Sequence, residues 1–150
     1  MDQVPVADQA VLLAHMLWAM ALGALIGWER QLVQKPAGLR THILVTGASA
    51  LITGVTVTVA QTVAVGDPTR GIHGILTGIG FLGAGAIIQQ GVGNPQGITT
   101  AATIMYSAVI GAAVASGYGL VATVATVLGI GVLRLLARFQ RSSDLGGTST

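Results

Sequence analysis

The sequence predicts an all-α protein, a polytopic membrane bundle of five transmembrane helices. Composition, charge placement and turn residues each point there. Of 150 residues, 52% are hydrophobic, only 8% are charged and 22 are glycine; a typical soluble domain carries roughly 25% charged residues. A soluble globule of this size needs more polar surface, and a disordered chain needs fewer Leu, Ile, Val and Ala. With no cysteine there is no disulfide framework, thiol nucleophile or Cys-ligated metal. A formal charge of +2 and 4% aromatic residues give no basis for nucleic-acid binding.

The elements follow from where charges are missing. Residues 9–28, between Asp8 and Glu29, carry none, and a helix needs about 20 mostly apolar residues to cross the hydrocarbon core; the first helix is predicted over 10–28. Residues 41–66, between Arg40 and Asp67, are also uncharged, which places the second helix over 42–65. Thr and Val alternate within Thr53–Val59, a strand-like pattern. A lone strand in lipid leaves its backbone unpaired, so the helix takes precedence. The run 71–133, between Arg70 and Arg134, accommodates three spans if it turns twice. Gly91-Val-Gly-Asn-Pro95-Gln-Gly97 supplies one turn and Ser116-Gly-Tyr-Gly119 a weaker one. The last three helices are predicted over 71–90, 98–115 and 119–137. An outer-membrane barrel, which alternates short segments with polar turns throughout, does not fit.

Five spans place Arg30, Lys35 and Arg40 on the same side as Arg134, Arg138 and Arg141, and leave Arg70 alone on the other. Four spans would remove this bias. By the positive-inside rule the N-terminus is then outside and the C-terminus cytoplasmic. Residues 1–9 are an extracytoplasmic segment without the basic residues of a signal peptide, 10–137 the transmembrane domain and 138–150 a cytoplasmic polar tail. Ser142–Thr150 read as disordered, with no soluble domain expected beyond.

Two polar segments flank the helices. Glu29, Arg30, Lys35, Arg40 and His42 cluster around the first loop, where they either anchor helix ends by snorkelling or form an ion-pair, lipid or partner site. Asp67, Thr69 and Arg70 precede the third helix, where Asp67 or Thr69 is expected to cap it and Asp67 could pair with Arg70. The third helix itself is dense in glycine. Gly71, Gly74, Gly78 and Gly85 fall near one face, and Gly80 with Gly83 near another. Small residues let helices approach closely in lipid, so this helix is expected at the centre of the bundle, with Gly23 and Gly27 of the first helix as its partner face. The same glycines could let it bend or unwind in an ion path.

Magnesium favours carboxylate and water oxygens in an octahedron. The carboxylates near the membrane, Glu29 and Asp67, fall on opposite sides, so one chain forms no two-carboxylate cage without a re-entrant helix or a second copy. His15, His42 and His73 lie in three helices without ligand spacing and read as hydrogen-bonded polar residues. No nucleophile, base and orienting group occur together, so no enzyme is expected.

Four blocks in order, Leu22-Gly-Ala-Leu-Ile-Gly-Trp-Glu-Arg-Gln31, Lys35-Pro-Ala-Gly-Leu-Arg-Thr-His42, Gly78-Ile-Gly-Phe-Leu-Gly-Ala-Gly-Ala-Ile87 and Gly97-Ile-Thr-Thr-Ala-Ala-Thr103, resemble the MgtC/SapB family of bacterial inner-membrane proteins. Gly66-Asp-Pro-Thr-Arg70 is similar to the family's Asp-Pro-Ser-Arg segment. The likeness spans residues 10–137, the transmembrane domain without the soluble C-terminal domain of virulence-type members. It implies a role in magnesium transport or homeostasis, growth in low magnesium and, in pathogens, survival inside macrophages. By resemblance the functional positions are Glu29, Arg30, Gly38, Arg40, Asp67, Arg70, Asn94, Thr99 and Thr100, with Glu29 and Asp67 the only metal candidates and Mg²⁺ the candidate ion. Two mechanisms stay open. The chain moves or senses the ion, with Glu29 and Asp67 at polar gates, or it is a small regulatory subunit acting through helix contacts, with itself as a homodimer or with a membrane complex such as the F-type ATP synthase.

Overall fold

The computed structural model describes residues 4–63, 67, 69–89 and 96–146. Five helices follow one another: α1 (Val6–Leu32), α2 (Leu39–Val63), α3 (Thr69–Gln89), α4 (Gln96–Ala115) and α5 (Gly119–Gly146). Each is long and apolar enough to cross a membrane, and no strand occurs among the described residues. The strand-like segment around Thr53–Val59 is helical. Its hydroxyls make this tolerable in lipid by bonding back one turn, Thr56 Oγ1 to the Ile52 carbonyl at 2.7 Å and Thr58 Oγ1 to that of Gly54 at 2.9 Å.

The helices overrun the predicted limits at both ends of the chain. α1 starts at Val6 and carries Glu29 and Arg30 inside its last turns. α5 continues to Gly146, so residues 142–146 are helical where a disordered stretch was expected. Once a helix is nucleated, each added residue gains a hydrogen bond without a new nucleus.

Turn chemistry sets the connections. α1 ends with Lys35 N–H bonded to the Arg30 carbonyl and Gln34 N–H to that of Gln31, both 3.0 Å, around Gln34 at φ 53°. This is a Schellman closure with glutamine in the left-handed position usually held by glycine. α4 ends the same way, with Tyr118 N–H on the Ala113 carbonyl and Gly117 at φ 88°. The Gly91–Pro95 turn lies outside the described residues. The hairpin it joins is tight, because a Cβ on Gly97 would stand 2.8 Å from the Ile87 Cα.

The centre of the bundle is α4, which touches all four other helices, whereas α3 packs on α4 and, less extensively, on α2. The expectation of a central α3 is therefore corrected. α4 buries Thr100, Thr103, Ser107, Ala108, Ala112 and Val114 over a broad face of about half its circumference, mostly short side chains that let four neighbours come close. α3 instead buries the stripe Ile75, Ile79 and Gly83. A Cβ on Gly83 would make ordinary contact, 3.4 Å from the Ala101 Cβ, while one on Gly74, Gly78, Gly80 or Gly85 would meet nothing within 4 Å. Isoleucines fill the seam, and most of the glycines face outward.

Gly23 and Gly27 face α2 rather than α3. A Cβ on Gly23 would overlap the Thr46 side chain and lie 2.6 Å from the His42 carbonyl; one on Gly27 would lie 2.7 Å from the Leu39 Cα. Gly111 of α4 packs on the Thr46 carbonyl so closely that a Cβ would overlap it. Two glycines from different helices thus clamp α2 at one residue. Apolar clusters lie on either side: Ala19, Leu22, Ile26, Ala50, Ile110, Val114 and Ala122 join α1, α2, α4 and α5, and Val45, Ile75, Ile79, Ile104 and Ala108 join α2, α3 and α4.

Candidate functional site

The polar residues collect where α1 ends, α2 begins and the first turns of α4 lie. Glu29 and Arg30 are buried, each 3% exposed, and Arg30 Nε donates to Glu29 Oε2. Two adjacent helix residues point about 100° apart, so this contact bends two long side chains toward one another inside the packed end of α1. The arrangement neutralises both charges where lipid or protein would otherwise surround them. Gln31 ties the loop back, its Oε1 accepting from Leu39 N–H at 3.4 Å.

His42 stands one turn into α2 and is fully buried. Its Nδ1 lies 2.8 Å from Ser107 Oγ on α4. Nε2 is buried and meets no protein group at full hydrogen-bond geometry, with the Ala37 backbone of the first loop as its nearest polar neighbour. Thr46, one turn further, donates to the His42 carbonyl at 2.9 Å. His42, Thr46, Ser49 and Thr53 are all buried, and their spacing of four, three and four residues puts them on one face of α2. This polar stripe was not singled out from the sequence, although its heptad-like spacing is visible there. A buried polar group with no partner costs roughly 1–3 kcal/mol, which makes the end of the stripe at His42 a place to look for function.

The remaining predicted positions divide. Gly38 is half-buried against Gln31, with a virtual Cβ 3.5 Å from Gln31 Oε1, and Arg40 is exposed on the first turn of α2. Thr100 is buried in α4 and Thr99 is exposed, lining an apolar groove of about 290 Å³ with Ile26, Tyr106 and Leu128. These six positions, counting Glu29 and Arg30, belong to helix ends at the first-loop side of the bundle. Asp67 and Arg70 belong to the opposite end, both exposed. Asn94 lies outside the described residues.

Asp67 is engaged by the start of α3. Its Oδ1 accepts from Thr69 N–H at 2.9 Å and from the Thr69 hydroxyl at 2.6 Å. These bonds hold its carboxyl below the usual carboxylate range. Glu29 and Asp67 therefore sit at separate ends, each with partners of its own, and no group of three metal-ligating side chains occurs among the described residues.

Five apolar helices around a small-residue core, with a buried ion pair at one end, define a multi-pass helical membrane protein. Residues 16–142 match the MgtC family, and the chain belongs to that family. It is 46% identical over 136 residues to Protein MgtC of Brucella abortus, covering 88% of this chain and 52% of that protein. It is 37% identical over 140 residues to an uncharacterized protein of Haemophilus influenzae, covering 89% of this chain and 59% of that one. Protein SrpB of Synechococcus elongatus is 37% identical over 148 residues, with 90% of this chain and 81% of SrpB covered. The chain thus spans about half the length of its MgtC-named relatives. No solved structure matches it significantly.

Proposed function

We propose that the chain is an inner-membrane protein of the MgtC type that serves magnesium homeostasis and growth in low magnesium. Its family membership over residues 16–142 carries this reading, and the buried Glu29–Arg30 pair in the matched region supports it. An intramembrane charged pair is expensive to maintain and is by default a functional feature. The basic residues of the first loop and of the C-terminal end support an N-terminus outside and a C-terminus in the cytoplasm. Mg²⁺ is the ion to which the function responds. Self-association through α3 fits the same picture, since Gly74, Gly78 and Gly85 leave that helix open to close approach.

Expression in a bacterium lacking its own family member tests the proposal. The chain restores growth when Mg²⁺ is limiting, and Arg40→Gln, at an exposed position that leaves packing intact, loses the rescue at equal protein level. Absence of rescue by the unaltered chain would overturn the magnesium role.

A further inference from the structure

Along one flank of the bundle α1 and α2 part into a groove of about 520 Å³. Leu13 and Met16 of α1 and Leu51, Val55 and Val59 of α2 form its walls. Behind it the seam is closed, since Leu12 lies on Gly54 so tightly that a Cβ there would overlap it. Leu13, Leu51, Val55 and Val59 are about half exposed, so the groove opens outward, toward lipid rather than into the bundle. From Asp8 to Met16 the helix rises about 12 Å at 1.5 Å per residue, close to one leaflet of a hydrocarbon core roughly 30 Å thick. An apolar trough of that length, running along helices that cross the bilayer, has the shape and chemistry of an acyl-chain seat.

One end of the trough is polar. Asp8, in the first turn of α1, lines it and is exposed, and no ion pair reaches it among the described residues. A carboxylate at the edge of hydrocarbon is costly without a counter-charge. Beside it, Gln9 commits an amide hydrogen to the Val4 carbonyl at 2.8 Å, and the Thr58 hydroxyl donates to the Gly54 carbonyl at 2.9 Å. The mouth therefore presents chiefly oxygen acceptors, led by a carboxylate, and matches a group that only donates, such as a primary ammonium. Two other grooves, at Tyr106 between α1, α4 and α5 and at Ser116 between α3 and α4, hold no charged residue in their walls.

We propose that the α1–α2 groove is a binding site for a phospholipid with a primary-amine headgroup, its acyl chain between Leu13 and Leu51 and its ammonium on the Asp8 carboxylate. The assignment is independent of the magnesium reading and of the direction in which the chain is inserted.

Phosphatidylcholine isolates the contact, because it keeps the headgroup charge and replaces the three N–H donors with methyl groups. The full chain is reconstituted in phosphatidylcholine vesicles with a trace of phosphatidylethanolamine or phosphatidylcholine bearing a photoreactive diazirine in the acyl tail, and labelled peptides are mapped. The amine probe labels residues 8–16 and 51–59 at least about fivefold more than the choline probe, and Asp8→Asn abolishes the difference. Equal labelling by the two probes in the unaltered chain overturns the proposal, as does a preference that survives Asp8→Asn. Val55→Trp fills the trough, leaves Asp8 in place and lowers amine-probe labelling of both segments; undiminished labelling overturns the proposal too. Cross-links joining two copies through these segments, with no lipid adduct, assign the groove to a protein contact and likewise overturn it.

Discussion

Glu29 and Arg30 show how much one buried contact commits. Glu29→Gln strands the Arg30 charge, and breaking a buried pair from one side costs about 3–5 kcal/mol. Thermal unfolding in detergent should show a large fall in Tm for Glu29→Gln. Glu29→Leu combined with Arg30→Met recovers most of it, because no charge is then left to solvate. In the sequence the two charges stand beside the first loop, and snorkelling outward fits them as well as pairing inward. Both choices use the same two letters, and only the overrun of α1 to Leu32 carries them into the packed end. His42 was read as a hydrogen-bonded polar residue, and its ring does bond. Its partner Ser107 is 65 residues away, a separation at which no local pattern selects one hydroxyl over another.

At the level of elements, count and order of helices were legible because charge is so costly in hydrocarbon that gaps between charges mark the spans. The turn at Ser116–Gly119 was legible too, since Gly117 is the residue type a left-handed position favours. What the sequence could not disclose was which neighbour each glycine meets. Density of small residues shows that backbones can come close, and in α3 it pointed to the middle of the bundle. In the folded chain the apolar bulk of Ile75 and Ile79 fills the α3–α4 seam, and the decisive glycines are Gly23 and Gly111, scattered singly through other helices. The contrast is testable. Gly111→Val drives a side chain into the Thr46 carbonyl and prevents a monodisperse fold in detergent. Gly78→Leu has open space around it, leaves insertion and melting unchanged, and disrupts self-association seen by crosslinking if α3 forms the dimer contact.

For the whole molecule, five crossings require the two termini to lie on opposite sides of the bilayer. Reporter fusions measure this directly: under the proposed orientation a periplasm-active phosphatase is expected to work only at the N-terminal end and a cytoplasm-active fluorescent protein only at the C-terminal end. Neutralising Lys35 and Arg40 to Gln is expected to weaken that orientation, since bias in basic residues sets it. The division of polar groups also becomes meaningful at this scale. Six of the nine positions carried over by resemblance belong to one end of the bundle, whereas Asp67 and Arg70 belong to the other, where Thr69 holds the Asp67 carboxylate.

The junction at Gly117 couples the last two spans like meshed gears. Only Ser116, Gly117 and Tyr118 separate α4 from α5, so an extra residue that extends α5 shifts its register. It would turn α5 about its long axis by about 100°, swinging Thr126 toward the lipid and withdrawing the Ala125 carbonyl from the Tyr106 hydroxyl, now 2.6 Å apart. An alanine inserted after Gly117 is thus expected to uncouple α5 while leaving the first four helices together, an outcome that limited proteolysis between the two spans would register as accelerated cleavage.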